Sequence, residues 1–564
     1  MKNKIGLLMM SLLVFVLVLV ACGGNDDTST GTGGGADNSE TSGQVNEGNE
    51  NVASEVEIPN IPGFPLAEPI TVTMMGPHAG VSDWEDMALF HSLTEATNIH
   101  WEFITPSDQD FLTNLNLTFV TQELPDVFFG ASLTAAHQME HGSVGTLIPL
   151  QDLIADYAPN ISSTLAEHSH ITNSITAPDG NIYALPTINL GSDAIWPAGP
   201  VYYNGQWLDL LEAEVPRTLD EFTELMFRFR DEIPELIGVD HVFPISATDE
   251  MVWLRTWIIS FWGMATRAVE ATDGNVVHNA TTEAYRAYLE WMHMAFNEGL
   301  IHPEIFTLSG DMHNALGREN RIGLFQSWHS YGFLGTDAEQ ALRNPMLRPL
   351  TSEWSPEGVL PRSPGFSLGQ FAITSRAEHP EAIMMLMDWF YSEEGALFAD
   401  HGPEGAFWVY DTHEETGEQV RVLAPGVDPE DGAERGRFTP FFGFPAPQII
   451  TATPNPRILI DRYQTLEDPL NDFLREETMA TMYAYGKVPM PPAMLTEDEV
   501  HLIQTTNADL NMEINRQEAA FVTGLTPLND ETWAAFQATL ETIGVQDVVD
   551  VWQAAHNRWL AASQ

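Results

Sequence analysis

The chain of 564 residues carries 80 aspartates and glutamates against 23 lysines and arginines, which gives a formal net charge of −57. No segment forms a basic patch able to displace the counterions of phosphates, which argues against nucleic acid as a partner. The only lysines are Lys2, Lys4 and Lys487, whereas arginine is used throughout. An acidic surface whose remaining cations stay protonated at high pH is typical of extracellular proteins from alkaline or saline habitats, and both habitats stay open.

The first 57 residues predict a membrane address and a tether. Two lysines precede an apolar run from Leu7 to Val20, which ends just before Cys22, the only cysteine. This arrangement resembles the lipobox of bacterial lipoproteins, in which residues 1–21 are a cleaved signal peptide and Cys22 carries lipid. The alternative is an ordinary transmembrane anchor, for which the run is short. Residues 22–57 are poor in large apolar side chains and predict a disordered tether. With its only cysteine lipidated, the chain is expected to form no intramolecular disulfide.

An alternation of strand and helix patterns follows from residue 58. Strands are predicted at 69–75, 99–104 and 126–129, and helices at 83–97 and 108–121, from the spacing of apolar residues. The order βαβαβ normally builds a parallel sheet with right-handed crossovers. Ligands of such sheets bind beyond the carboxyl ends of the strands, which here lie near residues 76–78 and 130–132.

Three further helices have well-marked starts. Thr218 and Glu221 have the spacing of a capping box, in which each side chain bonds the other's backbone N–H. Thr282 opens a helix with its apolar residues on one side, and Pro380 is a favoured first-turn residue. The body is therefore predicted to be α/β throughout, and about five hundred residues suffice for two or three domains.

Several segments together resemble the extracellular solute-binding lipoproteins of oligosaccharide ABC importers in Gram-positive bacteria, family 1 type. They run in the family's order across the mature body, and the ordered set carries the resemblance rather than any single piece. The matching segments are 157–160, 178–186, 201–208, 215–222, 296–301, 391–395 and 521–528.

The resemblance implies a two-lobe periplasmic-binding-protein-like fold of type II, with parallel-rich sheets flanked by helices and joined by hinge strands. It places 58–186 and 369–440 in the first lobe and 187–368 in the second. Residues 441–564, with the C-terminal helices, are assigned mainly to the second lobe. The first crossover is expected near Leu185 and Pro186, and the return to the first lobe near residues 369–374.

A cleft that binds sugars needs aromatic rings to stack on and planar polar groups for the hydroxyls. Tryptophans in loops or beside helix breakers are the first candidates, with core packing as the alternative reading for each. The predicted ligand-binding residues are Trp84, Trp196, Trp328 and Trp408, the clustered Trp253 and Trp257, and the polar Asp126, Tyr203, Asn204 and Arg255.

Two motifs match enzyme patterns. Residues 137–141, His-Gln-Met-Glu-His, fit the inverted zinc-peptidase motif, but chance accounts for it in a chain with 18 histidines and many acids. Residues 365–369, Gly-Phe-Ser-Leu-Gly, fit the nucleophile elbow of α/β-hydrolases, but prolines interrupt the strand that should precede the serine. Pairs of carboxylates suited to glycoside hydrolysis are uninformative among so many acids. We therefore expect no catalytic residue, no metal and no cofactor.

Many relatives in the resembled family carry a calcium-loop-like segment after the helix equivalent to 220–230. Residues 231–243 fill that slot here without alternating oxygen ligands or a central glycine, so structural calcium is not expected there.

The predicted function is capture of an oligosaccharide between the lobes and its delivery to the permease subunits of an ABC importer. The protein is expected to be a monomer, held by lipid on the extracellular face of the cell membrane. Two alternatives stay open at this stage. One is a surface-anchored glycoside hydrolase or peptidase, and the other is a sugar-sensing or adhesive surface lipoprotein.

Overall fold

The computed structural model describes residues 56–563, apart from 79–81, 192–195, 198, 249–250, 430–433, 441–446 and 451–457. The predicted signal peptide, Cys22 and nearly all of the predicted tether lie outside these ranges, as do the side chains of Trp253 and Glu434. Within the described ranges, no helix combines the length and apolar character needed to cross a membrane.

The strands form two principal sheets and three small ones. In chain order they are β1 Ile70–Met75, β2 Ile99–Ile104, β3 Val127–Phe129, β4 Leu185–Asn189, β5 Val201–Tyr203, β6 Phe243–Ile245, β7 Val269–Thr272, β8 Asn275–His278, β9 Ile322–Gln326, β10 Leu360–Pro361, β11 Phe366–Ile373, β12 Trp408–Thr412, β13 Gln419–Leu423, β14 Ile449–Ile450, β15 Ile458–Leu459 and β16 Gly486–Lys487.

The helices flank the principal sheets and dominate the C-terminal part. In chain order they are α1 Ala88–Thr97, α2 Asp108–Thr121, α3 Ala135–Ser143, α4 Gln151–Tyr157, α5 Pro159–Glu167, α6 Ser169–Ile175, α7 Gly205–Leu211, α8 Leu219–Ile237, α9 Val252–Ile258, α10 Glu283–Asn297, α11 Gly310–Arg318, α12 Ser330–Leu334, α13 Ala338–Ala341, α14 Pro380–Phe390, α15 Glu393–His401, α16 Pro469–Thr478, α17 Glu497–Val522, α18 Asp530–Ile543 and α19 Val545–Ala562.

The first lobe is built on a six-stranded sheet of order β14-β4-β11-β3-β1-β2. Strand β1 runs parallel to β2 and to β3, which confirms the predicted βαβαβ unit. Strand β11 runs antiparallel to both β3 and β4, so β4 points in the same direction as β1 to β3. One face of the sheet buries an apolar core that includes Val72, Ile99, Phe371 and Met384.

The second lobe is built on a three-stranded sheet of order β5-β9-β6, in which β9 is parallel to β6 and antiparallel to β5. Helix α8 begins with the predicted capping box, because the Thr218 hydroxyl accepts from the N–H of Glu221 and the Glu221 carboxylate accepts from that of Thr218. The amphipathic helices α8 and α10 bury Phe222, Phe229 and Tyr288 against this sheet and its neighbours.

The crossovers between the lobes are set by sheet membership. The predicted exit at Pro186 lies inside β4, where Pro186 has its carbonyl bonded by the hydroxyl of Tyr391. The chain leaves the first sheet after Asn189 and joins the second at Val201, and it returns at Phe366, where β11 begins.

The C-terminal helices, which were predicted to belong mainly to the second lobe, contact both lobes. Helix α17 packs against α10 of the second lobe and α3 of the first, and α19 packs against β8 and α6. The indole N–H of Trp559 on α19 donates to the Ser174 hydroxyl of α6 at 3.0 Å. A continuous apolar core therefore runs from the second lobe to the outer face of the six-stranded sheet.

Candidate functional site

The carboxyl ends of the parallel strands define an edge on each lobe. In the first lobe β1, β2, β3 and β4 end at this edge, and the chain crosses to the second lobe from the end of β4. In the second lobe β6 and β9 end beside the start of β5, since Val201 pairs with Gln326. The crossovers thus join the two edges, which places the cleft where α/β sheets bind ligands.

Two tryptophans lie at the second-lobe edge. The ring centroids of Trp196 and Trp328 are 6.3 Å apart with planes tilted by 41°. Trp196 is buried, and its indole N–H donates to the Thr478 hydroxyl at 2.9 Å. Trp328 follows β9 and remains 55% exposed. The buried ring supports an exposed one, which leaves a flat apolar surface at the cleft.

A polar groove of about 350 Å³ lies beside this pair, between α11, α12 and the ends of β6 and β9. The buried Ser246 hydroxyl and Nδ1 of His313 form a hydrogen bond of 3.1 Å inside it. The amide of Gln326 donates to the Gly199 carbonyl at 3.0 Å, which fixes the crossover from β4 to β5 against β9. The groove is lined by Ser246, Ala247, Thr248, Leu254, Gly310, His313, Asn314, Arg318, Gln326, Ser327, Gly332 and Phe333. No aspartate or glutamate occurs among these described lining residues.

The return crossover is held by a second set of contacts. Strand β10 pairs in parallel with β16, and the backbone N–H of Arg362 donates to the Lys487 carbonyl at 2.9 Å. The Arg362 guanidinium lies 5.2 Å from the ring centroid of Tyr483, which ends a π-helical turn and is 40% exposed. The Lys487 ammonium forms an ion pair with the buried Glu270. Sequence reasoning missed Arg362 and Tyr483, because only the tertiary fold brings them together.

Several predicted ligand-binding aromatics are core residues, which corrects those predictions. Trp84 is 1% exposed and is surrounded by Phe90, Phe103 and Phe129 at 5.5 to 6.1 Å between ring centroids. Trp257 and Tyr203 are buried in the core of the second lobe, and Trp408 is buried with its N–H on the Gly402 carbonyl. Their rings have no face open to a ligand. The side chain of Trp253 lies outside the described residues.

The polar residues that were predicted to bind the ligand have structural roles instead, which corrects those predictions as well. Asp126 precedes β3, at the opposite edge from the cleft, and its carboxylate accepts from the N–H of Thr73 at 2.8 Å. The Asn204 side chain caps α7 and donates to the Ile322 carbonyl at 3.1 Å. Arg255 is buried and pairs with Glu518 at 2.6 Å.

The enzyme-like motifs are accounted for by local structure. In segment 137–141 the His137 ring accepts from the N–H of Thr134 and completes a capping box, while the His141 ring stacks on Phe119 at 3.7 Å. Ser367 lies within strand β11 rather than at a strand-to-helix turn. Gly369 has φ of +67°, and a Cβ there would lie 2.0 Å from the Leu133 carbonyl oxygen, so this glycine is required by packing.

The first part of the segment 231–243, where relatives in the resembled family carry a calcium-loop-like segment, is helical here. Helix α8 continues to Ile237, and its Asp231 and Glu232 form ion pairs with Arg230 and Arg228 at 2.6 and 2.8 Å. Across the described part of the chain, no group of three or more acidic, histidine or cysteine side chains is placed to hold a metal ion.

Comparisons with known proteins agree on one class. The chain is 22% identical over 522 residues to the fructooligosaccharide ABC transporter substrate-binding protein FusA of Streptococcus pneumoniae, which covers 88% of this chain and 92% of that protein. It is 22% identical over 218 residues to the polygalacturonan/rhamnogalacturonan-binding protein YtcQ of Bacillus subtilis, over 37% of this chain and 40% of that one. No family model matches.

Solved structures agree on the fold. FusA in complex with kestose superposes with a TM-score of 0.69 at 20% identity, over 87% of this chain and 99% of that one. An ABC-transporter-associated solute-binding protein of Bifidobacterium longum infantis, described as HMO binding, gives a TM-score of 0.70 at 20% identity, over 87% of this chain and 99% of that one. The predicted two-lobe, periplasmic-binding-protein-like fold is confirmed, and so is the resemblance to oligosaccharide-binding proteins of ABC importers.

Proposed function

We propose that this protein is the substrate-binding component of an ABC importer, which captures an oligosaccharide between its two lobes and delivers it to a membrane permease. The similarity to FusA over nearly the whole length of both chains carries this proposal, because it covers both lobes and the connections between them. The cleft supports it with an exposed indole beside a polar groove, the two kinds of surface that a sugar ring requires.

The ligand is held by stacking and hydrogen bonds at the second-lobe edge. The exposed face of Trp328 packs against the apolar face of one sugar ring, while Asn314, Gln326 and Ser327 bond the hydroxyls of the neighbouring sugar. Closure of the first lobe over the second covers the ligand and stabilises the closed form.

Capture proceeds without chemistry. The relatives found are binding proteins, and the two enzyme-like motifs of the chain are built into a helix cap and a strand. Energy for import comes from a separate ATPase in this scheme. Lipid attached to Cys22 keeps the receptor near its permease, where the tether of residues 22–57 gives it reach and raises its effective concentration.

The proposal is tested by isothermal titration of the purified body, residues 58–564, with kestose, maltotriose, xylotriose, trigalacturonate and 3′-sialyllactose. Binding of one saccharide per chain is expected, with the saccharide recovered unchanged. Cleavage of a bound saccharide would favour a surface hydrolase, and the absence of binding to every member of the panel would contradict the proposal.

A further inference from the structure

The cleft contains arginines that lack carboxylate partners, although the chain is unusually rich in carboxylates. Acidic residues outnumber basic ones by 80 to 23. Most described arginines have a guanidinium nitrogen within 4 Å of a carboxylate oxygen. Near the second-lobe sheet these arginines include Arg228, Arg321 and Arg343. Arg318 and Arg362 form no such ion pair with any described residue, and both lie at the cleft.

Arg318 ends α11 and lines the polar groove. The aliphatic stem of Arg318 lies next to Gly335, the residue that follows α12, since a Cβ added to Gly335 would be 3.2 Å from the Arg318 Cγ. Arg318 as a whole is exposed. The adjacent Glu319 pairs with Arg321 at 3.5 Å and leaves Arg318 without that partner. The described lining of the groove contains no carboxylate, whereas a second pocket that Arg318 also lines contains Asp337 and Glu339, neither of which forms an ion pair with it.

Arg362 lies in the return crossover, shortly before β11 begins beside the end of β4. Its guanidinium stacks over the half-exposed ring of Tyr483, and its Nε is buried without a hydrogen-bond partner in the structure. Three other described arginines, Arg217, Arg376 and Arg421, also lack a carboxylate partner, but none of them lines the groove or a crossover. Among the arginines that the structure describes, Arg318 and Arg362 are therefore the ones that lack a carboxylate partner and lie beside the groove or a crossover.

Taking the proposed function as given, we propose that the ligand is an acidic saccharide, and that Arg318 and Arg362 select it by binding its carboxylates. The planar guanidinium fork matches a carboxylate with two parallel hydrogen bonds and holds it more strongly than neutral donors hold a hydroxyl. The net charge of −57 repels an anion at long range, but salt screens that repulsion beyond about 8 Å, so the two local cations decide the outcome inside the cleft.

The test uses two pairs of saccharides that differ in charge. Trigalacturonate is compared with its carboxyl-reduced product, and 3′-sialyllactose with lactose, by isothermal titration of the wild-type body. In at least one pair the acidic member is expected to bind about tenfold more tightly or better, and its affinity is expected to fall as NaCl rises from about 0.05 M to about 0.5 M. The pair that responds distinguishes a uronate from a sialic acid.

Variants assign the selectivity to the two residues. Arg318→Gln and Arg362→Gln are each expected to remove most of the preference for the acidic member while leaving the neutral member's affinity within about twofold. Arg516→Gln, which removes one positive charge from the exposed face of α17, should leave both affinities unchanged. Thermal unfolding of all variants checks that the fold is retained.

Two results would overturn the inference. If neutral saccharides such as kestose bind and every acidic saccharide fails to bind, the inference of an acidic ligand is refuted, while the proposed function still stands. An acidic preference that persists in both cleft variants would refute the role of these arginines. Failure of every saccharide would instead contradict the proposed function on which the inference rests.

Discussion

Removal of the exposed indole at the cleft is the sharpest perturbation that the structure suggests. Trp328 is 55% exposed, so its ring leaves roughly 140 Å² open if a free tryptophan presents about 250 Å². A sugar stacked on one face covers about half of that area, which at ~25 cal/mol/Å² contributes about 1.7 kcal/mol. Trp328→Ala is therefore expected to weaken oligosaccharide binding about 20-fold.

Isothermal titration with the best ligand of the saccharide panel measures this loss. Trp328→Phe keeps an aromatic surface and should recover most of the affinity. Tyr463→Ala, which removes an exposed ring from the segment after β15, is the control and should leave binding unchanged. Because Trp328 is exposed, its removal should leave the thermal midpoint nearly unchanged. A loss of less than about twofold for Trp328→Ala would refute the assignment of this ring as the stacking surface.

The remaining predictions concern stability and anchoring. Burial alone would raise the pKa of the Glu518 carboxyl, but the charges of Arg255 and Arg267 lower it to about 2. Glu518→Gln should therefore cost about 3 kcal/mol or more in urea unfolding at neutral pH, whereas Glu541→Gln at an exposed position of α18 should cost little. Since the folded pKa lies below the usual value near 4.5, this contribution is present above that pH and is lost as pH falls towards 2, and a wild-type advantage that persists unchanged at pH 2 would contradict it. Gly369→Ala should lower the thermal midpoint markedly, because it combines a positive φ with a backbone clash, and an unchanged midpoint would show that the strand relaxes freely. Cys22→Ala should move the protein from the membrane fraction to the medium, and continued membrane retention would favour a transmembrane anchor.

Several elements were predictable from the sequence because their signals are local. The apolar periodicity of 69–129 predicts the observed strands and helices to within a few residues at their ends. The capping box at Thr218 and Glu221 and the proline at residue 380 each mark a helix start that the structure confirms. In these cases the residues that determine the element lie within the element itself.

The site was less predictable because burial is decided by distant parts of the chain. Trp84 and Trp196 both lie beside helix breakers or in a long connection, yet the first is enclosed by three phenylalanines and the second supports the exposed Trp328. Tyr483 and Arg362 are separated by more than a hundred residues and meet only through the pairing of β10 with β16. Composition alone therefore identified the kind of side chain needed but not its position.

The central claim, that the cleft captures an oligosaccharide and returns it intact, is tested most directly by titration calorimetry combined with mass spectrometry of the recovered ligand. The account predicts one saccharide bound per chain, recovered with unchanged mass, and a large loss of affinity in Trp328→Ala. Conversion of the saccharide to smaller products, or binding that is unaffected by the loss of Trp328, would contradict it.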